Sequence, residues 1–413
     1  MSQSNRVTIH RGDTQAQSNR RMPRGFHLLI AAQFASGLAD NALLIVAIAL
    51  LQRQGHPAWM APMLKFNFTL AYVVLAPFIG PLADSMRKAR LMSAMNALKV
   101  AGVLLLAAGG HPLLAFALVG VGAATYAPAK YGLVTELVGP GRLVVANGWI
   151  EVSMVCAALL GTVFGGLLVG LLPEHALPVL LVVYGVSALL TLGVPDSGAR
   201  YAKADLAPLI CFVNANRQLW RDREGGLSLA VTTLFWGASA TLQIAVLRWA
   251  EQALGLMLDK AAFLQAAVAL GVIAGASLAG RWFSLRSATR VLPAGVLLGL
   301  LVPVAALSTS LALALPLLML VGAVGGLLVV PMNALLQHRG HRLLTAGRSI
   351  AVQGFNENLS VLLMLGSYAA LLALQPSMVV LMTALGLFVA TVMLLLIWRE
   401  RSRGLLQPLQ DQA

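Results

Sequence analysis

A few polar and ionisable residues interrupt stretches of chain that are otherwise continuously apolar: Asp40 and Asn41, Asn67, Asn96 and Lys99, Lys130, Glu151, and the run Asn356-Glu357-Asn358. At the centre of a helix in hydrocarbon an ionised side chain costs about 2.5 to 3.5 kcal/mol on insertion scales. Five of them cost on the order of 10 kcal/mol, comparable with the whole stability of a typical domain. They must therefore face a wet cavity or one another. Groups so placed mark ion or substrate pathways; the plainer alternative is a buried pair, such as Asp40 with Lys130, that only neutralises two charges. Lys65 and Arg248 lie near the ends of their apolar stretches, where long side chains reach the headgroup layer, and are read as snorkelling.

The chemistry implied is binding and passage, not bond making. The sequence holds no Walker A motif, HExxH, nucleophile elbow or dinucleotide fingerprint. Gly120-Val121-Gly122 lacks the third glycine and the preceding strand, and reads as helix packing. All seven histidines fall at the ends of apolar stretches or in loops, which argues against a buried histidine proton relay. Cys156 and Cys211 lie far apart in no ligand-spaced motif and are expected to be free thiols. No cofactor and no metal is expected.

These residues are carried by membrane helices. The chain is 59% hydrophobic and 11% charged, with a mean hydropathy of +0.82, against about 25% charge in a soluble domain. Apolar runs of about 20 residues, the length that crosses the hydrocarbon as a helix, recur along it. They do not alternate as the roughly ten-residue strands of a membrane barrel would. Twelve spans are predicted: 26–51, 60–83, 91–110, 112–135, 145–171 and 176–195, then 227–250, 261–283, 291–310, 312–336, 346–372 and 376–398. This divides the chain into a tail (1–25), a six-helix bundle (26–195), a polar linker (196–226), a second bundle (227–398) and a C-terminal tail (399–413). No removable signal peptide is read at the N-terminus.

With a cytoplasmic N-terminus, 23 of the 29 Lys and Arg fall on the inner side. The positive-inside rule then places both termini and the linker in the cytoplasm. The formal charge of +14 is thus a matter of topology; the basic residues form no single patch with interleaved aromatics, and no nucleic acid is expected.

The halves repeat. Gly122, Pro128 and Lys130 of span 4 answer to Gly325, Pro331 and Asn333 of span 10, each shifted by 203, and Asp40 answers to Gln243 at the same offset. The loop from Gly80 to Arg90, with Asp84, Arg87, Lys88 and Arg90, has a degenerate counterpart from Gly280 to Arg286. Two six-helix halves in parallel repeat, with a site between them near the midplane, is the all-α architecture of the major facilitator superfamily. Asp84, Arg87, Lys88 and Arg90 resemble that superfamily's inner-loop signature and, with Glu151, are assigned to gating. Gly161, Gly165, Gly166, Gly170, Gly271 and Gly275 suit close helix approach.

A narrower resemblance rests on Gln33-Phe34 to Leu44 around Asp40-Asn41-Ala42, Ala83-Asp84-Ser85, Val119 to Ala124, Pro128-Ala129-Lys130-Tyr131-Gly132 and Ala146-Asn147-Gly148. It extends to Leu234-Phe235-Trp236-Gly237-Ala238, Pro331 to Gln337 and Ala351-Val352-Gln353. In these blocks, from about residue 26 to 400, the chain resembles the bacterial lysophospholipid transporter family. The resemblance implies movement of lysophosphatidylethanolamine and lysophosphatidylglycerol from the outer to the inner leaflet of the bacterial inner membrane. It also implies a link to an acyltransferase and acyl-ACP synthetase system that restores the missing chain, and a monomer among membrane lipids.

By that resemblance Asp40 and Lys130 line a central cavity, as does the pair Glu357 and Asn358. Gln243 stands where the family carries arginine, and Arg248 lies five residues later. Asn41, Asn96, Lys99 and Asn333 complete the expected substrate-binding set: lysines for a phosphate, acids for an ammonium, amides for neutral hydrogen bonds. A proton-coupled exporter of drugs or small amphiphiles would share the fold. A membrane acyltransferase would not be expected without a His-x4-Asp pattern, and no enzyme activity is assigned.

Overall fold

The computed structural model describes residues 22–57, 59–195, 197–198, 208–256 and 258–402, with side chains for all of these except 258–262. Most of both tails and the first part of the linker lie outside them. The first bundle is built from α1 (Arg24–Arg53), α2 (Met60–Val74), α3 (Ala76–Ser85), α4 (Lys88–Ala107), α5 (Pro112–Leu137), α6 (Leu143–Leu171) and α7 (Ala176–Leu192). After α8 (Pro208–Arg221) the second follows as α9 (Arg223–Leu254), α10 (Leu258–Trp282), α11 (Leu292–Ala306), α12 (Leu311–Leu343), α13 (Ala346–Leu372) and α14 (Met378–Ser402).

Among the described residues nine helices are long and apolar enough to cross a membrane, and α2 with α3 makes a tenth span bent by 65°. The bend follows from Pro77, which donates no N–H to the preceding turn and crowds its carbonyl. The two remaining spans of the twelve are the 17-residue α7 and α13, whose first half carries Gln353 and Asn356-Glu357-Asn358. Each of the twelve predicted stretches thus coincides with a helix or with the bent pair, ten of them apolar and long enough to cross a membrane among the described residues, and α12 runs seven residues past the predicted end at 336.

The linker differs from a plain polar connection. Its residues 208–221 form α8, and Arg223 already begins α9, where the Asp222 carboxylate accepts the Gly225 N–H at 2.7 Å as an N-cap. What folds α8 is a sparse apolar stripe: Ala215 and Leu219 are buried with Phe212 beside them, against Leu229, Leu336 and Val352. Asn214, Asn216, Arg217, Gln218 and Arg221 share the other positions with the exposed Leu209, Ile210, Val213 and Trp220.

The two halves pack alike. α1 lies against α6 and α7 as α9 lies against α13 and α14, and α4 against α5 and α7 as α11 against α12 and α14. Between halves, α6 meets α10 and α3 meets α13. All the basic loops lie at one end of the bundles, here called the basic end.

Glycine decides the closest approaches. A Cβ on Gly271 would collide with the Met319 carbonyl oxygen and one on Gly275 with that of Ala323, so α10 and α12 touch backbone to backbone. Gly161 and Gly165 play the same part for α6 against α1, whereas Gly166 and Gly170 face open space. Gly275→Ala should therefore destabilise the detergent-solubilised protein by about 1 to 3 kcal/mol, the usual cost of overpacking, and Gly166→Ala should leave its thermal midpoint unchanged.

Candidate functional site

Between the bundles lies a cavity of about 980 Å³, walled by residues of both halves. It is mostly apolar, with Phe235, Val268, Leu298, Val302 and Val321 among the lining residues of the second half. Its charged groups among the described residues are Lys65, Lys130, Glu151 and Glu357, joined by the amides of Asn41, Gln243, Gln265, Asn333, Gln353 and Asn358.

Lys130, 8% exposed, reaches the cavity from α5. Its Nζ lies 4.1 Å from the centroid of the Tyr131 ring and 3.7 Å from the Met154 sulfur. Glu151 on α6 lines the same half of the cavity. Among the described residues, however, no carboxylate oxygen comes within ion-pair distance of this ammonium. Opposite it, the Gln353 amide donates both to Asn333 Oδ1 at 2.9 Å and to Glu357 Oε1 at 2.8 Å, which ties α12 to α13 and fixes the Glu357 carboxylate. Asn41 and Asn358 each donate to the carbonyl four residues back, at 2.8 Å, and present their side-chain oxygens to the cavity.

Three of the residues expected to bind substrate do not line this cavity. Asp40 pairs with Lys99, not with Lys130: Lys99 Nζ lies 2.7 and 2.9 Å from the two carboxylate oxygens. The Tyr184 hydroxyl donates to Asp40 at 2.7 Å, and Lys99 donates to Ser36 Oγ at 2.9 Å. Ser36 bonds to Asn96 Oδ1, and the Asn96 amide bonds to Ser187. Asn96 and Lys99 are 0% and 1% exposed. The reason is geometric: they project from α4 toward α1 and α7, inside the first bundle, so this network fastens three helices of one half.

The gating residues also divide. Asp84, at the end of α3, crosses to the other bundle and caps α13: its carboxylate accepts the Thr345 hydroxyl, the Gly347 N–H at 2.8 Å and the Arg348 N–H at 3.2 Å. Free N–H groups and the positive end of the helix dipole make that terminus an anion site. Lys88 stays within its own half, 2.7 Å from Glu136, and Arg87 and Arg90 are exposed. Glu151 belongs to the cavity wall.

Sequence reasoning passed over two features. One is a second bond between the halves near the basic end, where the amides of Asn147 and Gln337 exchange hydrogen bonds at 2.9 and 2.8 Å. The other is Lys65, read as snorkelling but placed on the cavity wall with Thr69 and Tyr72. The i, i+4, i+7 spacing of these three residues was the available signal. Arg248 is exposed and does not line the cavity.

The sequence from 29 to 364 matches the family model described as Major Facilitator Superfamily. The chain is also similar to the lysophospholipid transporter LplT of Yersinia pestis (strain Pestoides F), 43% identical over 358 residues, which cover 86% of this chain and 88% of that one. The chain belongs to the lysophospholipid transporter family of the major facilitator superfamily. Solved structures agree on the fold. The human organic anion transporter MFSD10 matches with a TM-score of 0.69 at 14% identity, covering 90% of this chain and 100% of that one. A bacterial homologue of the iron transporter ferroportin in its outward-facing state matches with a TM-score of 0.69 at 18% identity, covering 91% and 100%.

Within this family fold the Asp40–Lys99 pair is a structural bond with a testable signature. Breaking a buried pair by removing one partner costs about 3 to 5 kcal/mol, because a charge is left alone, whereas removing both is far cheaper. Lys99→Met should therefore lower the thermal midpoint sharply, and the double variant Asp40→Asn/Lys99→Met should recover most of the loss. Pairing Asp40→Asn with Lys130→Met should give no such recovery.

Proposed function

We propose that the chain is a flippase. It carries lysophosphatidylethanolamine and lysophosphatidylglycerol from the outer to the inner leaflet of a bacterial inner membrane, where an acyltransferase and acyl-ACP synthetase system re-acylates them. The observation that carries this reading is Lys130, a cation without an acid at ion-pair distance in a large, mainly apolar cavity. A lysolipid is the matching ligand: its phosphate supplies the missing anion and its acyl chain needs only the apolar wall. Glu357, held by Gln353, suits the ammonium of an ethanolamine headgroup. Similarity to LplT supports the substrate class.

The positive-inside rule puts the basic end, both termini and the linker in the cytoplasm. In that orientation the bonds of Asp84 to α13 and of Asn147 to Gln337 close the cytoplasmic side, and the cavity serves the outer leaflet. Alternating access then requires these bonds to break while bonds at the other end form. Asp84, Asn147 and Gln337 are in this account the gate, and the protein works as a monomer.

The test follows labelled lysophosphatidylethanolamine from the outer leaflet into diacyl lipid in cells with and without the protein. Conversion should depend on the protein, and Lys130→Ala should abolish most of it while folded protein remains in the membrane. A cell protected from an amphiphile with no delivery of lysolipid to acylation would favour the exporter instead. Gln243, on the cavity wall in place of the family's arginine, gives a second test. Gln243→Arg adds a partly desolvated cation and should shift preference toward the anionic lysophosphatidylglycerol, and Gln243→Glu should shift it away, measured as the ratio of initial rates for the two lipids in vesicles.

A further inference from the structure

We propose that Lys65 forms a second anion site, at the mouth of the cavity, which receives the phosphate of a lysolipid before Lys130 does. This rests on the lysolipid reading above and deepens it. Three observations carry it: depth, facing and charge order.

Depth follows from helical rise. α2 begins at Met60 and α5 at Pro112, both at the end away from the basic loops. Lys65 lies five residues into its helix, about 8 Å, and Lys130 eighteen residues into its own, about 27 Å, at 1.5 Å per residue. The two cations are thus separated by about 20 Å along the path. The first stands where a headgroup in the adjoining leaflet begins its passage, and the second near the floor.

Facing is settled by the stripe. Lys65, Thr69 and Tyr72 share one side of α2, and all three line the cavity. Lys65 is exposed there, and among the described residues no carboxylate lies within ion-pair distance of its ammonium. A lysine serving only to snorkel would stand on the lipid side of α2, away from Thr69 and Tyr72.

Charge order gives the pair of sites a direction. The cavity's two acids lie deep: Glu357 is fifteen residues below the open end of α13 and Glu151 twenty below that of α6, about 22 and 30 Å. Of the charged groups lining the cavity among the described residues, Lys65 is therefore the one at the mouth. An approaching phosphate meets attraction there with no carboxylate among the described lining residues at that depth, and the ammonium of a zwitterion finds its partner only after descending. Asn41 and Gln243 stand between the two lysines, so neutral amides line the route that the phosphate takes.

The test uses the full chain in phosphatidylcholine vesicles, with initial rates for lysophosphatidylglycerol and lysophosphatidylethanolamine read by albumin extraction. Lys65→Gln should raise KM about fivefold, the scale of a partly screened charge contact, leave kcat within about twofold and flatten the dependence on ionic strength. Lys65→Arg should restore the wild-type KM, whereas Lys130→Ala should lose kcat. An unchanged KM in Lys65→Gln, or a loss of kcat equal to that of Lys130→Ala, overturns the mouth site while leaving the flippase reading intact. Wild-type protein that moves neither lipid overturns both. Inorganic phosphate, compared with chloride at equal ionic strength, should not compete; competition that Lys65→Gln abolishes would mark a site for free anions and also overturn the proposal.

Discussion

One carboxylate holds the observed arrangement of the two bundles. Asp84 ends α3 in the first half and caps α13 in the second, accepting two backbone N–H groups and a hydroxyl at a terminus that has no partners of its own. The contact needs the backbones close. A Cβ on Gly347 would lie 2.6 Å from the Gly80 carbonyl oxygen and 2.8 Å from Asp84 Oδ1, and one on Gly80 would lie 3.0 Å from the Arg348 Cα. Two glycines and an acid therefore make one joint. On the other side of the interface a Cβ on Gly148 would lie 2.9 Å from the Ala276 carbonyl oxygen, beside the Asn147–Gln337 amide pair. Both joints sit toward the basic end, and the cavity exists because the helices diverge from them.

The joints are polar, which suits contacts that must form and break. A cap of N–H groups on a carboxylate can be replaced by water when the halves part, at a net cost of about 1.5 to 3 kcal/mol per bond to the charged group. The Asp40–Lys99 network is placed differently. It is buried among α1, α4 and α7, where no rigid-body motion of one half against the other disturbs it. The paired charges Asp40 and Lys99 are inside a bundle, and Lys130, without a carboxylate at ion-pair distance among the described residues, lies between bundles.

Much of this was legible in the sequence. Apolar runs of membrane-spanning length located the helices of both bundles, and the repeat at a shift of 203 anticipated the pseudo-symmetric packing, because both are properties of the chain taken in windows. The cavity residues Asn41, Lys130, Glu151, Glu357 and Asn358 were identified from polarity, and Gln243 and Asn333 from the internal repeat. What failed was facing. Asp40 and Lys99 are as conspicuous as Lys130, but which side of α1 and α4 they occupy depends on how those helices rotate against α7, and a near-uniformly apolar helix carries little periodic signal to fix that rotation. α8 was missed for another reason: its apolar residues, from Leu209 to Trp220, are too few for a membrane-spanning run and are spaced along an amphipathic helix inside a segment read as a polar connection.

The repeat also explains why Lys130 is left without an acid. Shifted by 203, Glu357 of α13 corresponds to Met154 of α6, and it is Met154 whose sulfur lies 3.7 Å from Lys130 Nζ. A carboxylate at 154 would reach the ammonium and neutralise it. The thioether instead packs against Lys130 and the Tyr131 hydroxyl without charge. In the second half the acid is kept and the cation is lost, since Asn333 stands at the position of Lys130 and bonds to Gln353, the amide that also holds Glu357. At these two positions each half thus holds one member of a potential ion pair, and not the same one. Had both members been retained in both halves, the cavity would hold two closed salt bridges and offer a charged ligand nothing. The two similar halves therefore differ in charge: Lys65, Lys130 and Glu151 stand on one wall of the cavity and Glu357 on the other.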